Sequence, residues 1–438
     1  MTEWYLSLFA SFEKNLNGQS KSAIYGIRRT AIARFAELGF PTTTDEDWRF
    51  TDVSLIAKKF FELPSAAVAQ QMKIRELEPF ILDNKKFHNV VFLNGRYSAQ
   101  LSSVHASHEG VKIGGLERYI SSEAATVEKH LARYAAYDTN GFLALNTAFL
   151  HDGAFIMIPD GIVHATPVQI VFVSTEHQNE FVSFPRNLII IGKNAEASII
   201  ETYIGYTNNT YCTNTVSEVV LGEGAVLEHE RIQRESVNAF HIATVQVHQE
   251  RNSSYKSNAF TFGGRLVRNN LNAVLDGEGA EATLNGLYFG TGRQHIDNHT
   301  TIDHAQPHCP SHELYKGILG GKSKGVFNGK IFVRKDAQKT DAKQTNKNLL
   351  LSETASIDTK PQLEIFANDV KCTHGATIGQ LEEESVFYLR SRGISEIDAR
   401  DMLTYAFANE IVEKIKIGAL REFLDALIHE HLRKMSTP

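Results

Sequence analysis

The chain has 438 residues, of which 42% are hydrophobic and 22% are charged, and its formal net charge at pH 7 is −6. This length leaves room for two or three domains, and the balance of apolar and charged residues is typical of a soluble globular protein with a sizeable core. Lysine and arginine are scattered and form no basic block or basic–aromatic stripe, which argues against a nucleic-acid partner.

The cysteines indicate a reducing compartment. Cys212, Cys309 and Cys372 are isolated and form no CxxC pair, so we expect no disulfide framework. Three thiolates are also too few for a private four-cysteine iron–sulfur site. The first residues lack the cationic start and apolar run of a signal peptide, and no apolar run approaches the length of a membrane span. We therefore expect a cytoplasmic protein with no membrane partner.

The first part of the chain predicts helices. Apolar residues recur every four positions over residues 4–16, and a second stripe at helical spacing covers 24–38, before a glycine and a proline. A strand-like run at 89–95 precedes a third helical stretch at 115–136. We therefore expect a mainly helical amino-terminal domain over residues 1–145.

From about residue 150 the pattern changes to short β-branched runs separated by Gly, Asn and Asp turns. An apolar pair with the same turn recurs at Gly192 and Gly222, thirty residues apart, and again at Gly277, fifty-five residues further on, close to two more periods. Such a period without intervening helices is typical of a β-helix, whose coils stack on one another. A β-sandwich is the alternative, but it gives no reason for the turns to repeat. We therefore expect a β-helix core over residues 146–381.

Helical spacing returns at the end of the chain. Residues 382–392 predict one helix, Ser395 begins a capping box, and helices follow over 399–414 and 420–432. The last helix has a wide apolar stripe, which indicates either packing within a carboxy-terminal domain, residues 382–438, or a docking face for a partner. The sequence alone favours packing.

Two short patterns at 321–325 match active-site motifs without their structural context. The Gly-Lys-Ser at 321–323 resembles the end of a phosphate-binding loop, but such a loop has a further glycine five residues before the glycine at 321, and this chain has none there. The GxSxG pattern of hydrolases needs a strand–turn–helix elbow. The residues that follow predict a strand, whereas both motifs need a helix there. We therefore expect no nucleotide site in this chain and a plain β-turn at this position.

Three residues of types that bind metals alternate at His295, Asp297 and His299. A strand would place all three on one face, where they could hold a divalent metal. The alternative is a polar ladder on a solvated face. The ladder is favoured, because a strand gives a line of donors whereas a metal site needs donors that converge.

Cys372 and His374 form a second pair of candidate ligands. On a strand, residues two apart face the same way, so a thiolate and an imidazole would lie side by side. These donors suit iron, zinc or copper. Two donors do not complete a site, so the pair either packs without binding a metal or shares a site whose other ligands come from elsewhere.

Longer stretches around these residues resemble the SufB/SufD family of iron–sulfur cluster assembly proteins. The stretches that carry the resemblance are 45–51, 295–299, 311–317, 339–352, 369–381 and 386–394. Two features favour the SufD branch of the family. His374 is followed by Gly375 and Ala376, and Leu389 with Arg390 stands where SufB commonly has a cysteine.

The resemblance implies a right-handed parallel β-helix core flanked by amino-terminal and carboxy-terminal helical domains. It also implies a non-catalytic scaffold subunit of a SufBCD complex, which pairs with SufB through its β-helix and docks the ATPase SufC through residues 382–438. In this complex, SufC would be the subunit that hydrolyses ATP. A transient iron–sulfur cluster, formed from acquired iron at the SufB interface, would be shared by the two chains, with His374 and Cys372 as candidate ligands.

Other interpretations remain open at this point. A β-helix enzyme acting on polysaccharide needs clustered carboxylates or calcium along a groove, whereas the notable residues here are histidines. A stand-alone metal-binding β-helix protein would use the donors between 295 and 312. A homodimer through the same β-helix edge, formed when SufB is absent, is a further alternative that the sequence leaves open.

Overall fold

The β-branched runs in the middle of the chain form the coils of a parallel β-solenoid. A computed structural model describes residues 2–14, 16, 23–64, 72–83, 85–175 and 179–436. The fold is mainly β, with about eight solenoid turns and helices towards both ends. The predicted fold class is therefore confirmed. The domain boundaries at 145/146 and 381/382 stay predictions.

The first two predicted helices are present and pack on the outside of the solenoid. Tyr5, Phe9 and Phe35 belong to an apolar cluster that includes Phe240 and Leu266 from the solenoid strands. The helices before the central strands are α1 (Thr2–Lys14), α2 (Ala23–Leu38), α3 (Ser54–Ala57), α4 (Ile74–Leu77), α5 (Leu116–Ser122), α6 (Ala124–His130) and α7 (Gly141–Ala148).

The single helical stretch predicted over 115–136 is wrong, because it is divided into two helices and ends earlier. The chain forms α5 and α6 and then leaves helical geometry at Leu131. The cause is a distant carboxylate, because Glu218 accepts hydrogen bonds from the backbone N–H groups of Ala132, Tyr134 and Ala135. Glu218 is itself buried and paired with Arg186 at 2.8 Å. A tertiary contact therefore overrides the local helical pattern.

The strands form two sheets. In chain order they are β1 (His88–Leu93), β2 (Arg96–Tyr97), β3 (Lys112–Gly115), β4 (Ala154–Ile158), β5 (Val168–Ser174), β6 (Phe181–Ser183), β7 (Arg186–Ile191), β8 (Glu196–Gly205), β9 (Tyr211–Leu221), β10 (Val226–Arg234), β11 (Phe240–Gln249), β12 (Ser254–Thr261), β13 (Leu266–Leu275), β14 (Glu281–Gly290), β15 (His295–His304), β16 (Pro310–Leu319), β17 (Lys324–Val333), β18 (Asp341–Leu350), β19 (Ser356–Ile365) and β20 (Lys371–Gly379). The first sheet has the order β2-β1-β5-β8-β10-β12-β14-β16-β18-β20, and the second has the order β19-β17-β15-β13-β11-β9-β7-β4-β3, with β6 beside β9. From β8 onwards, successive strands alternate between the sheets, so each coil contributes one strand to each. β17 follows the glycine turn at 321, which agrees with the strand predicted there.

Successive corners along one edge of the solenoid contain a residue with left-handed backbone. The N–H of each such residue donates to a corner carbonyl oxygen of the next coil, at 2.7–3.3 Å. Glycine and asparagine adopt this conformation at low cost, which explains the turn that repeats in the sequence. Asn252 supplies the corner between Gly222 and Gly277, so their separation is two periods, as predicted. The left-handed residues are Gly161, Asn194, Gly224, Asn252, Gly279, His308 and Lys339.

The carboxy-terminal helices cover the outer face of the first sheet. They are α8 (Glu383–Ser391), α9 (Glu396–Val412) and α10 (Gly418–Ser436), and the Ser395 side chain caps α9 as predicted. The apolar stripe of α10, including Leu424 and Ile428, packs against outward residues such as Phe260. The apolar stripe of α10 therefore packs within the protein, which is the interpretation that the sequence favours. Among the described residues, no helix is long and apolar enough to cross a membrane.

We predict that Gly277→Ala strongly destabilises the solenoid. A Cβ at this corner would lie 2.0 Å from the backbone nitrogen of Arg251, which cannot move without breaking the adjacent coil. The free energy of unfolding, measured by chemical denaturation, should fall by at least about 2 kcal/mol. Gly418→Ala is the control, because nothing lies within 4 Å of that Cβ, and it should change stability by less than about 1 kcal/mol. Equal stability of the two variants would contradict the role of the corner stack.

Candidate functional site

Cys372 and His374 lie on β20, the last strand of the solenoid. β20 pairs in parallel with β18, so that Cys372 lies beside Ala342 and His374 beside Gln344. Ala342 and Gln344 are buried within the solenoid. Because neighbouring residues in register point the same way, Cys372 and His374 face the interior of the last coil. The strand predicted for this pair is present.

The last coil is open to solvent. β20 and β19 are the outermost strands of the two sheets at this end, and within the described part of the chain no strand pairs with their outer edges. His374 is exposed and Cys372 is half-buried, although their neighbours on β18 are buried. Ile378 and Phe366 are also exposed here, by 51% and 59%. An open edge with apolar side chains is suited to pairing with a further chain.

The Cys372 thiol contacts apolar neighbours. It packs beside a cluster that contains Ala342, Val333 and Ala367. Burial, with the Asp341 carboxylate as a further cause, raises the pKa of Cys372, so the thiol form dominates at neutral pH. A thiol must lose its proton to bind a metal, so this environment disfavours ligation in the free chain.

The His374 imidazole is the more accessible donor of the pair. Its neutral form can bind borderline metals such as iron through one ring nitrogen. Among the residues that the structure describes, no group of three or more His, Cys, Asp and Glu side chains is placed to hold a metal ion. Cys372 and His374 therefore present donors at an open coil without completing a site there.

The second candidate group lies on the outer face of the other sheet. The Asp297 carboxylate is buried and pairs with Arg268 at 2.6 Å and with the His299 Nε2 atom at 3.1 Å. It also accepts a hydrogen bond from the Thr51 hydroxyl, which lies 2.8 Å from His295 Nε2. The structure thus brings His295, Asp297 and His299 together with the amino-terminal segment, on a different sheet from His374.

The segment 45–51 is held to the solenoid by these contacts. The Trp48 ring lies 4.3 Å from the Arg268 guanidinium, in cation–π geometry. Arg268 also donates to the backbone oxygen of Asp47 at 2.8 Å. The row of donors on β15 therefore fastens the amino-terminal region to the outer face of the second sheet.

The charges of this cluster are set by burial and by Arg268. Burial alone would raise the pKa of Asp297, but the Arg268 charge and the hydrogen bonds from His299 and Thr51 outweigh it and hold that pKa well below its usual range. Burial lowers the pKa of His295 and of His299, so both rings are neutral at pH 7. The Asp297 carboxylate is thereby committed to protein partners. The assignment of His295, Asp297 and His299 as metal ligands stays a prediction.

Several residues of these sites were not identified from the sequence. Arg268 and Thr51 were missed because their contacts join residues more than 200 positions apart. The one available signal was the segment 45–51, which carried part of the family resemblance. Gln344 was missed because a lone amide in a strand gives no local sign of its neighbours.

Comparisons with known proteins agree with this architecture. A family model described as the SufBD core domain of the SUF system for iron–sulfur cluster assembly matches residues 172–407, and one for the SufBD amino-terminal region matches residues 1–170. An iron–sulfur cluster assembly SufBD family protein of Synechocystis is 35% identical, over 93% of this chain and 90% of its own length. The iron–sulfur cluster assembly protein SufD of Escherichia coli is 32% identical, over 92% and 91%. The iron–sulfur cluster assembly protein SufB of Bacillus subtilis is 27% identical, over 70% and 66%.

We predict that Arg268→Met destabilises the protein by about 3 kcal/mol, because it leaves the buried Asp297 carboxylate without its main partner. The loss should be largest at neutral pH. On acidification below about pH 4, the usual pKa of an aspartate, the wild-type protein loses the stability that a depressed carboxylate pKa provides, so the difference between the two proteins should shrink there. Chemical denaturation between pH 2 and pH 7 measures both effects.

The control for this variant is Arg334→Met. Arg334 pairs with Asp303 at 2.7 Å, also on the second sheet, but its side chain is 51% exposed. An exposed pair contributes less than about 1 kcal/mol. If the two arginine variants unfolded at the same denaturant concentration, the buried cluster would not fasten the amino-terminal region as described.

Proposed function

The chain belongs to the SufBD family of iron–sulfur cluster assembly proteins, and we propose that it acts as the SufD-type scaffold subunit of a SufBCD complex. In this role it pairs with SufB, docks the ATPase SufC and supports iron acquisition without catalysing a reaction itself. The observation that carries the proposal is the open last coil, which presents Cys372 and His374 without the ligands to complete a site.

Pairing with SufB is supported by the shape of this end of the solenoid. The inner face of β20 is exposed, and its outer edge has backbone groups free to extend a sheet within the described structure. SufB of Bacillus subtilis is itself a relative of this chain, so a partner with similar coils could stack on the open end. In the absence of SufB, a second copy of this chain would use the same edge.

The substrate at this interface is a nascent iron–sulfur cluster shared with SufB. His374 is the principal ligand from this chain, because its ring is exposed. Cys372 is the secondary candidate, because its environment favours the thiol. A neutral imidazole holds iron less tightly than a thiolate does, which suits a cluster that must be passed on.

Docking of SufC is supported by large apolar side chains that are exposed on two carboxy-terminal helices. Phe387 and Tyr388 of α8 are 70% and 57% exposed, and Ile397 and Met402 of α9 are 58% and 50% exposed. Several large apolar side chains exposed on two successive helices are typical of an interaction surface. We propose that residues 382–438 form the docking domain. The helices α9 and α10 pack on the solenoid and would transmit movement of SufC to it.

We predict that His374→Ala lowers cluster loading. The complex is co-expressed with SufB and SufC and purified without oxygen, and its iron and acid-labile sulfide are measured. Loss of a ligand should reduce both by about tenfold. Thr373→Ala is the matched control, since Thr373 is exposed on the outer face of the same strand and should leave loading unchanged. Unchanged loading in His374→Ala, with the complex intact, would exclude His374 as a ligand.

We predict that Phe387→Asp prevents co-purification of SufC while SufB remains bound. A charge at the centre of an apolar interface is costly to bury, so affinity for SufC should fall by at least about a hundredfold. Val237→Asp is the control, because Val237 is a similarly exposed apolar residue, at 59%, on a corner of the solenoid. Retention of SufC by the Phe387 variant would place the docking surface elsewhere.

A further inference from the structure

A row of polar side chains inside the last three coils ends at His374. Glu313 of β16, Gln344 of β18 and His374 of β20 occupy the same register position in consecutive coils. Neighbouring strands are about 4.8 Å apart, so each of these side chains lies directly over the next. Only 3% of Glu313 and 1% of Gln344 is exposed, whereas His374 is exposed.

The orientation of the Gln344 amide is set from below by Glu313. The Nε2 atom of Gln344 donates to Glu313 Oε2 at 2.8 Å. Gly329 on the facing sheet makes room for the amide, since a Cβ there would lie 2.3 Å from Nε2. Burial raises the pKa of Glu313 to about 7, so in a large share of the protein molecules this carboxyl group is ionised at neutral pH and accepts the hydrogen bond as a carboxylate. With Nε2 turned towards Glu313, the other end of the amide is left for the coil above.

The Oε1 atom of Gln344 is buried and, among the described residues, has no hydrogen-bond donor. A buried carbonyl oxygen without a donor is unfavourable and calls for a partner. The next side chain in the row is that of His374, whose ring always carries at least one N–H group.

We propose that Gln344 is a positioning residue that accepts a hydrogen bond from the His374 ring and so selects the tautomer whose other nitrogen faces the open end. This inference deepens the proposed function and rests on it, because a single tautomer matters only if His374 binds iron. Histidine ligands in proteins commonly donate their second N–H to a carbonyl or carboxylate, which fixes the ring and strengthens the metal bond. Gln344 would supply that carbonyl from within the solenoid, and Glu313 would hold it in place.

The test measures the His374 ring in the full chain by ¹⁵N NMR of the histidine side chains, with His374→Gln used to assign its signals. In the wild-type protein one neutral tautomer should dominate. Gln344→Met keeps the length of the side chain but removes the acceptor, so the tautomers should mix. Gln344→Glu retains an acceptor oxygen and should preserve the single tautomer.

Asn348→Leu separates positioning from stability. Asn348 is also a buried, inward amide of β18, but it lies beside Ile378 and not beside His374. This variant should lose stability without changing the His374 tautomer. In the complex with SufB and SufC, Gln344→Met should weaken iron binding by about tenfold relative to Asn348→Leu.

The outcomes distinguish the two proposals. If Gln344→Met leaves the tautomer of His374 unchanged in a cooperatively folded protein, the positioning role is wrong, whatever His374→Ala does to cluster loading. If Gln344→Met changes the tautomer but His374→Ala leaves loading intact, the hydrogen bond is present and the ligand role is wrong. A mixed tautomer in the wild-type chain would also overturn the positioning role.

Discussion

The parallel hydrogen-bonded register between coils is the constraint on which the rest of this structure depends. From β8 to β20 each strand pairs residue for residue with the strand of the next coil, and the left-handed corners keep the coils at one period. Every inward side chain therefore lies over its counterpart, and chemical groups are arranged in rows along the solenoid. His374 gains its neighbours from this register and not from its own sequence context.

Buried ion pairs attach the amino-terminal elements to this rigid core. Arg186 with Glu218 fixes the chain after α6, and Arg268 with Asp297 holds the segment 45–51. A buried pair contributes little net stability compared with apolar packing, but removing one partner leaves a costly buried charge. Such pairs therefore enforce one arrangement of the amino-terminal region on the solenoid. They also explain why His295, Asp297 and His299 form so dense a group of polar residues.

Local patterns in the sequence were sufficient to predict the elements whose conformation depends on residues close by in the chain. Periodicity predicted α1, α2 and the strands. The repeating turns predicted the solenoid period, because the left-handed backbone at a corner restricts the residue type. The pattern also gave the shared face of Cys372 and His374. It could not give the break after α6, since the cause is Glu218, more than 80 residues away. It could not show that the shared face is the inside of an open coil, because that depends on which strand comes last in each sheet.

The open last coil also has a consequence for cooperativity. In a stacked array each coil is stabilised mainly by its two neighbours, so a terminal coil has about half of the contacts of an internal one. The hydrogen bonds of β19 and β20 should thus open more readily than those of the internal coils, and their amide protons should be less protected from exchange. A partner that stacks on this end supplies the missing neighbour. In the proposed complex, ordering of β20 and binding of the partner become one thermodynamic event, in which a ligand held across the junction stabilises both chains together.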